Sequence, residues 1–95
     1  MPAYVLVQID VRDAVAYERY KALAGPTVAA HGGRYLVRGG PTEILEGNWQ
    51  PRRLVILEFA DATRARAWWS SPEYTEAKNI RHGCAGTEML LAEGV

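Results

Sequence analysis

Two short segments of this chain, Tyr4-Val5-Leu6-Val7-Gln8-Ile9 and Leu54-Val55-Ile56-Leu57, are apolar at both odd and even positions. Successive side chains of a strand point to opposite faces, so strands of this composition leave no face for water. Each must lie in the interior of a sheet that is covered on both sides. A chain of 95 residues makes a single domain over 1–95, with a core near the lower end of comfortable size. Its own helices can cover one side of such a sheet, and the other side needs a second cover.

The remaining punctuation gives the order of elements. Asp13 is placed to cap a helix whose residues Tyr17, Tyr20, Ala24, Val28 and His31 recur at three- and four-residue steps. Gly25-Pro26 lies inside that pattern and predicts a kink or break, because proline removes a hydrogen bond and clashes with the preceding turn. In His31-Gly32-Gly33-Arg34-Tyr35-Leu36-Val37-Arg38-Gly39-Gly40, the first glycine pair releases the helix and the second bends the edge of a strand, which then resumes over 42–46. Gly47-Asn48-Trp49-Gln50-Pro51 is a turn, and Arg53 to Phe59 a third strand. Asp61 caps a second helix reaching Trp69, Ser71-Pro72 restarts it, Gly83 and Gly86 end it, and Thr87 to Glu93 supplies a fourth strand. The order β-α-β-β-α-β is the ferredoxin-like plan of the α+β class: a four-stranded antiparallel sheet with its helices on one face.

In this plan the bare face of the central strands would expose several hundred Å² of apolar surface, more than monomers commonly show. At ~25 cal/mol per Å², covering it is worth on the order of 10 kcal/mol before association costs. An identical sheet is the simplest cover, so the expected partner is a second copy packed face to face as a homodimer.

Eleven basic and eleven acidic residues cancel, and no charge run exceeds two residues, so neither nucleic acid nor a membrane surface is an expected partner. The single cysteine, Cys84, precludes an internal disulfide framework. No basic and apolar leader opens the sequence and no stretch approaches membrane-spanning length, so a cytoplasmic protein is expected. His82 and Cys84 lie two apart without further ligands, and no glycine-rich phosphate fingerprint opens a helix. Neither a metal nor a cofactor is expected.

Among residues suited to chemistry, Arg81 shares a helix face with Tyr74, Ala77 and Cys84. A guanidinium there either snorkels or pairs with a structural glutamate, or it anchors a ligand carboxylate or enolate. His31 either caps its helix through the last carbonyls or moves a proton near neutral pH. Arg34 and Arg38, four apart on a strand, are expected on one face with Leu36, and Arg38 is expected to pair with Glu58 across strands. Trp49, in the turn, either lids a pocket or packs at a dimer seam, and at most one of Trp68 and Trp69 reaches the core.

Taken together, Met1-Pro2-Ala3-Tyr4, the His31–Gly40 run, Leu45-Glu46-Gly47, Pro51-Arg52-Arg53, Glu58-Phe59, Trp68-Trp69-x-Ser71-Pro72-Glu73-Tyr74 and Arg81 resemble the family called domain of unknown function 1330 across nearly the whole chain. It departs from the family pattern at Ala60-Asp61, where Pro-Ser is usual, and at Trp68-Trp69, where Trp-Tyr is usual. The resemblance implies a dimeric α/β barrel, a superfamily that includes cofactor-independent monooxygenases, isomerases and dehydratases as well as members without known activity.

Two functions follow as expectations. The first is a small-molecule-binding protein, or a cofactor-independent enzyme, with a pocket between helices and sheet. His31, Arg38 and Glu58 would be its catalytic groups, and Tyr35, Trp49, Tyr74 and Arg81 would bind a small carboxylated or enolisable ligand. The second is a non-catalytic structural or stress-associated homodimer in which the same polar groups satisfy one another.

Overall fold

The computed structural model describes residues 1–95. Its elements are β1 (Ala3–Val11), α1 (Ala14–Ala30), β2 (Arg34–Arg38), β3 (Arg53–Phe59), α2 (Ala62–Ser70), α3 (Pro72–Cys84) and β4 (Ala85–Glu93). The strands form one antiparallel sheet in the order β2-β3-β1-β4. The two doubly apolar segments, β1 and β3, are the two central strands.

Register fixes which residues face the helices. Val5 lies opposite Leu57 and Leu91, and Val7 opposite Val55 and Met89. Ala3, Val5, Val7 and Ile9 of β1 and Val55, Leu57 and Phe59 of β3 are buried beneath the helices. The even positions of the same strands, Tyr4, Leu6 and Gln8 on β1 and Leu54 and Ile56 on β3, form the opposite face and remain half-buried. The Cα framework measures 35 × 32 × 16 Å, the thickness of one sheet and one helical layer.

The helix ends are built from the residues the sequence supplies. Asp13 accepts a hydrogen bond from the Ala16 amide at 3.1 Å, and Asp61 one from the Arg64 amide at 2.8 Å. Ser71 closes α2 and opens α3: its hydroxyl donates to the Trp68 carbonyl at 2.8 Å and accepts from the Tyr74 amide at 3.2 Å. At the end of α1, Gly32 has φ +74°, and the Gly32 and Gly33 amides donate to the Ala29 and Val28 carbonyls at 3.0 and 2.9 Å. This paired reversal satisfies two terminal carbonyls and requires a residue that tolerates positive φ.

Three local expectations are corrected. The break at Gly25-Pro26 does not occur, and α1 runs without interruption from Ala14 to Ala30. Proline costs that helix a hydrogen bond, but Ala24, Thr27 and Val28 around it are buried against the rest of the protein and hold the segment helical. The second strand does not resume over 42–46, which form no strand; Gly39, at φ +73°, turns the chain out of the sheet there. The irregularity in β2 lies instead between Tyr35, opposite Leu57, and Val37, opposite Ile56. One extra residue at that point rotates the remainder of the strand by half a period. Arg34 and Arg38 therefore face opposite sides of the sheet, and Glu58 pairs with Arg34 at 2.7 Å rather than with Arg38.

Gly33 passes so close to the buried Phe59 ring that a Cβ would lie 2.5 Å from its nearest carbon, whereas Gly40 has open space around it. Gly33→Ala is expected to destabilise the fold by about 1–3 kcal/mol through overpacking. Gly40→Ala should stay within about 0.5 kcal/mol of the wild type. Urea unfolding of the two variants provides the comparison.

Candidate functional site

Trp68 and Trp69 diverge as adjacent helical residues must: Trp68 is fully buried, and Trp69 is 47% exposed. Between them, α3 and the edge strand β4 lies a cleft of about 480 Å³. Its walls are largely apolar, with Trp68, Trp69, Met89 and Leu91 among them, and it receives Arg81 and His82 from α3 and Thr87 from β4. Arg81 is only 3% exposed, and its Nε has no hydrogen-bond partner. The four ion pairs of the structure do not include it, so the structural glutamate expected as one alternative is absent. The Thr87 hydroxyl, also on the cleft wall, is likewise buried and unpartnered. Lys78, one helical turn before Arg81, is buried as well; its ammonium lies 3.4 Å from the Trp69 ring centre and donates to the Trp69 carbonyl at 2.9 Å. Desolvation, and secondarily the Arg81 charge, pull its pKa below the ordinary lysine value.

On the other side of Trp68, four tyrosines gather over the sheet. The Tyr20 and Tyr74 hydroxyls are hydrogen-bonded at 2.9 Å, and Tyr17 and Tyr35 line the same narrow crevice. Arg38 and Arg53 stand at its opening. The Arg38 guanidinium lies 4.2 Å from the Tyr35 ring centre, and Arg53 Nε donates to the Tyr17 hydroxyl at 3.1 Å. Outside them is a more open cavity of about 450 Å³ bordered by Glu18, Lys21, Ala22, Arg38 and Arg53.

The structure does not bring the sequence-derived acid–base trio together. His31 caps α1, donating from Nδ1 to the Thr27 carbonyl at 2.9 Å, and lines neither cavity. Glu58 is on the face of the sheet away from the helices, held by Arg34. Only Arg38 reaches a cavity. Trp49 lids neither helix-side cavity; it lies over the outer sheet face, where its indole donates to Gln8. Tyr35, Tyr74 and Arg81 do lie between helices and sheet, but Arg81 lines the β4-side cleft while Tyr35 and Tyr74 line the crevice. The sequence alone gives no binding role to Thr87, His82, Trp69, Tyr17, Tyr20 or Arg53. Tyr17 and Tyr20 show in it only as part of a buried stripe, and nothing local marks Thr87.

Burial raises the pKa of Tyr17, Tyr20 and Tyr35 above the ordinary tyrosine value, against the opposing pull of nearby arginines. Above the unfolded value of about 10, the unfolded chain releases phenolic protons that the folded chain keeps, so stability must fall as pH rises. Lys78 acts in the opposite sense, one group against three. The urea midpoint is therefore expected to drop between about pH 9 and 11, with tyrosinate absorbance lagging behind that of free tyrosine. An unchanged midpoint would contradict this assignment.

Comparison with known proteins agrees with this architecture. A protein of unknown function from Rhodopseudomonas palustris, RPA0582, superposes with a TM-score of 0.80 at 20% identity, over 99% of this chain and 82% of its own. SnoaB, a cofactor-independent oxygenase from Streptomyces nogalater, gives 0.68 at 11% identity, over 99% and 93%. A dimeric ferredoxin-like protein of unknown function from Jannaschia sp. CCS1 gives 0.68 at 17%, over 99% and 100%. At these identities the likeness is one of fold. No curated protein matches the chain. No helix is long and apolar enough to cross a membrane. The model of the family described as domain of unknown function (DUF1330) matches residues 2–95, and this ferredoxin-like chain belongs to that family.

Proposed function

We propose that the protein binds a small, largely apolar molecule carrying a carboxylate or enolate, with the cleft between α2, α3 and β4 as its site. The observation that carries this reading is the asymmetry of buried charge. Arg81 and Lys78 are buried, whereas every one of the eleven carboxylates is exposed or only half-buried. A buried guanidinium with an unsatisfied Nε costs several kcal/mol unless an anion completes it. A cleft of about 480 Å³ lies in the usual range for small-molecule sites, roughly 300–1,000 Å³. Arg81 would take the anionic head, the Thr87 hydroxyl one of its oxygens, and Trp69, Met89 and Leu91 the apolar body. Acid–base catalysis through His31 and Glu58 is not part of this reading, since neither lines the cleft; His82 is the imidazole that does. The oxygenase activity stated for SnoaB stays with that protein, which shares the fold at 11% identity.

Arg81→Met decides between binding and the purely structural alternative. With no carboxylate partner to orphan, the variant should keep the wild-type thermal stability or exceed it. It should lose about 2–3 kcal/mol of affinity for an aromatic monocarboxylate such as benzoate, followed by tryptophan quenching. A stability loss of about 3 kcal/mol with unchanged binding would favour the structural alternative.

The same chain is proposed to act as a homodimer through the outer sheet faces. Leu6, Leu54, Ile56 and Leu90 share that face, and Leu90 is 58% exposed. Trp49, 62% exposed, borders a hollow of about 220 Å³ over them. An identical sheet related by a two-fold axis covers this apolar surface in a closed pair. Sedimentation at micromolar concentration should give a dimer, and Leu90→Glu should shift it toward monomer with unchanged secondary structure. A wild-type monomer would overturn the assignment.

A further inference from the structure

Arg38 and Arg53 have a role that the cleft at Arg81 does not explain. Both guanidiniums lack a carboxylate partner. They lie on the helix-facing side of the sheet, where Arg38 opposes Val55 and Arg53 opposes Ile9. Each is held in place. The Arg38 guanidinium stacks on Tyr35, with Gly25 of α1 close enough that a Cβ there would touch its Nη2 at 3.5 Å. Arg53 lies 5.5 Å from the Tyr17 ring centre, donates from Nε to its hydroxyl, and packs its guanidinium against Gly39. Glycine at 39 is required by the turn, where its φ is +73°.

These groups border the cavity of about 450 Å³ beside α1. The third cation on it, Lys21, is 2.8 Å from Glu18, the cavity's one carboxylate. Three cations against one matched carboxylate leave two guanidiniums uncompensated in a chain whose formal net charge is zero. Two planar forks, one resting on the Tyr35 ring and one tied to the Tyr17 hydroxyl, can each receive oxygen atoms in pairs, and these contacts reduce the side-chain entropy lost on binding.

We propose that this cavity is a second site, specific for a doubly charged tetrahedral oxyanion: the phosphate group of a small soluble molecule, or inorganic phosphate itself. It is separated from the Arg81 cleft by Trp68 and the Tyr20–Tyr74 pair, so the two sites are separable by mutation. Arg38 and Arg53 grip the anion from two sides, and Lys21 screens it at the rim. The absence of a basic patch elsewhere restricts the site to a single anionic group and excludes a polyanion track.

Inorganic phosphate, titrated at ionic strength held constant with chloride, should raise the melting temperature and bind saturably by calorimetry. Arg38→Gln and Arg53→Gln should each weaken binding at least tenfold. Arg38 is exposed and makes no hydrogen bond, so its variant retains the fold, as circular dichroism would verify. Arg19→Gln, an exposed charge away from both cavities, and Arg81→Met should leave phosphate binding unchanged. The Arg81 variant thereby keeps failure of this site distinct from failure of the carboxylate cleft. Sulfate should compete. Malonate binding more tightly than phosphate would overturn the tetrahedral preference, and equal binding by wild type, Arg38→Gln and Arg53→Gln would overturn the site.

Discussion

The two layers of this protein meet at Trp68. Its indole Nε1 donates to the Thr27 hydroxyl at 3.0 Å, and that hydroxyl donates in turn to the Ala24 carbonyl at 2.6 Å. Its ring lies against Phe59 at 5.4 Å and Tyr74 at 4.1 Å between ring centres. One side chain thus ties α1, α2, α3 and β3 together. A buried indole N–H is costly without an acceptor, and the only polar side-chain atom that meets it is Thr27 Oγ1. This bond helps explain why α1 continues through Pro26: a break there would displace the acceptor beside it. The Trp68 ring also forms the wall common to the cleft and the tyrosine crevice, so each cavity depends on the same contact.

Sequence made the layer architecture legible because it is written in periodicity and caps. The doubly apolar runs identify the central strands, and Asp13, Asp61 and Ser71 start helices where expected. The inward face Tyr74-Ala77-Arg81-Cys84 followed from spacing alone, as did burial of one tryptophan of the adjacent pair. β2 was the point of failure. Alternation assigns Arg34 and Arg38 to one face only if the pleat is regular, and a single extra residue between Tyr35 and Val37 reverses that assignment. No side chain in the run advertises the bulge, because the glycines that suggested it are used for turns at either end.

That half-period shift also rearranges the chemistry. Had the strand stayed regular beyond Tyr35, Arg38 would have lain opposite Leu54 on the outer face, away from the helices. Rotated inward, it joins Tyr35 and the α1 surface, while Glu58, opposite Arg34 ahead of the bulge, pairs with Arg34 in either case. His31 follows from a different constraint. The chain reverses immediately after it through Gly32 and Gly33, and its ring folds back onto the Thr27 carbonyl. A residue that closes a helix in this manner is committed to the backbone, and the spacing that placed it on the apolar stripe could not distinguish that commitment from a pocket.

Zero net charge conceals a strong internal separation. The four ion pairs sit at accessible positions, where each is worth little. Carboxylates that might have neutralised Arg38, Arg53 or Arg81 are spent on helix caps, on surface pairs or on solvent. Stability alone gives no reason for this arrangement: a methionine at 81 would fill the same space without the desolvation cost. On the proposed reading, a guanidinium kept in an apolar cleft, and two more without carboxylate partners on the other side of one tryptophan, become favourable when anions arrive. The fold supplies the walls for both, and the uncompensated positive charge at each is what an anion would answer.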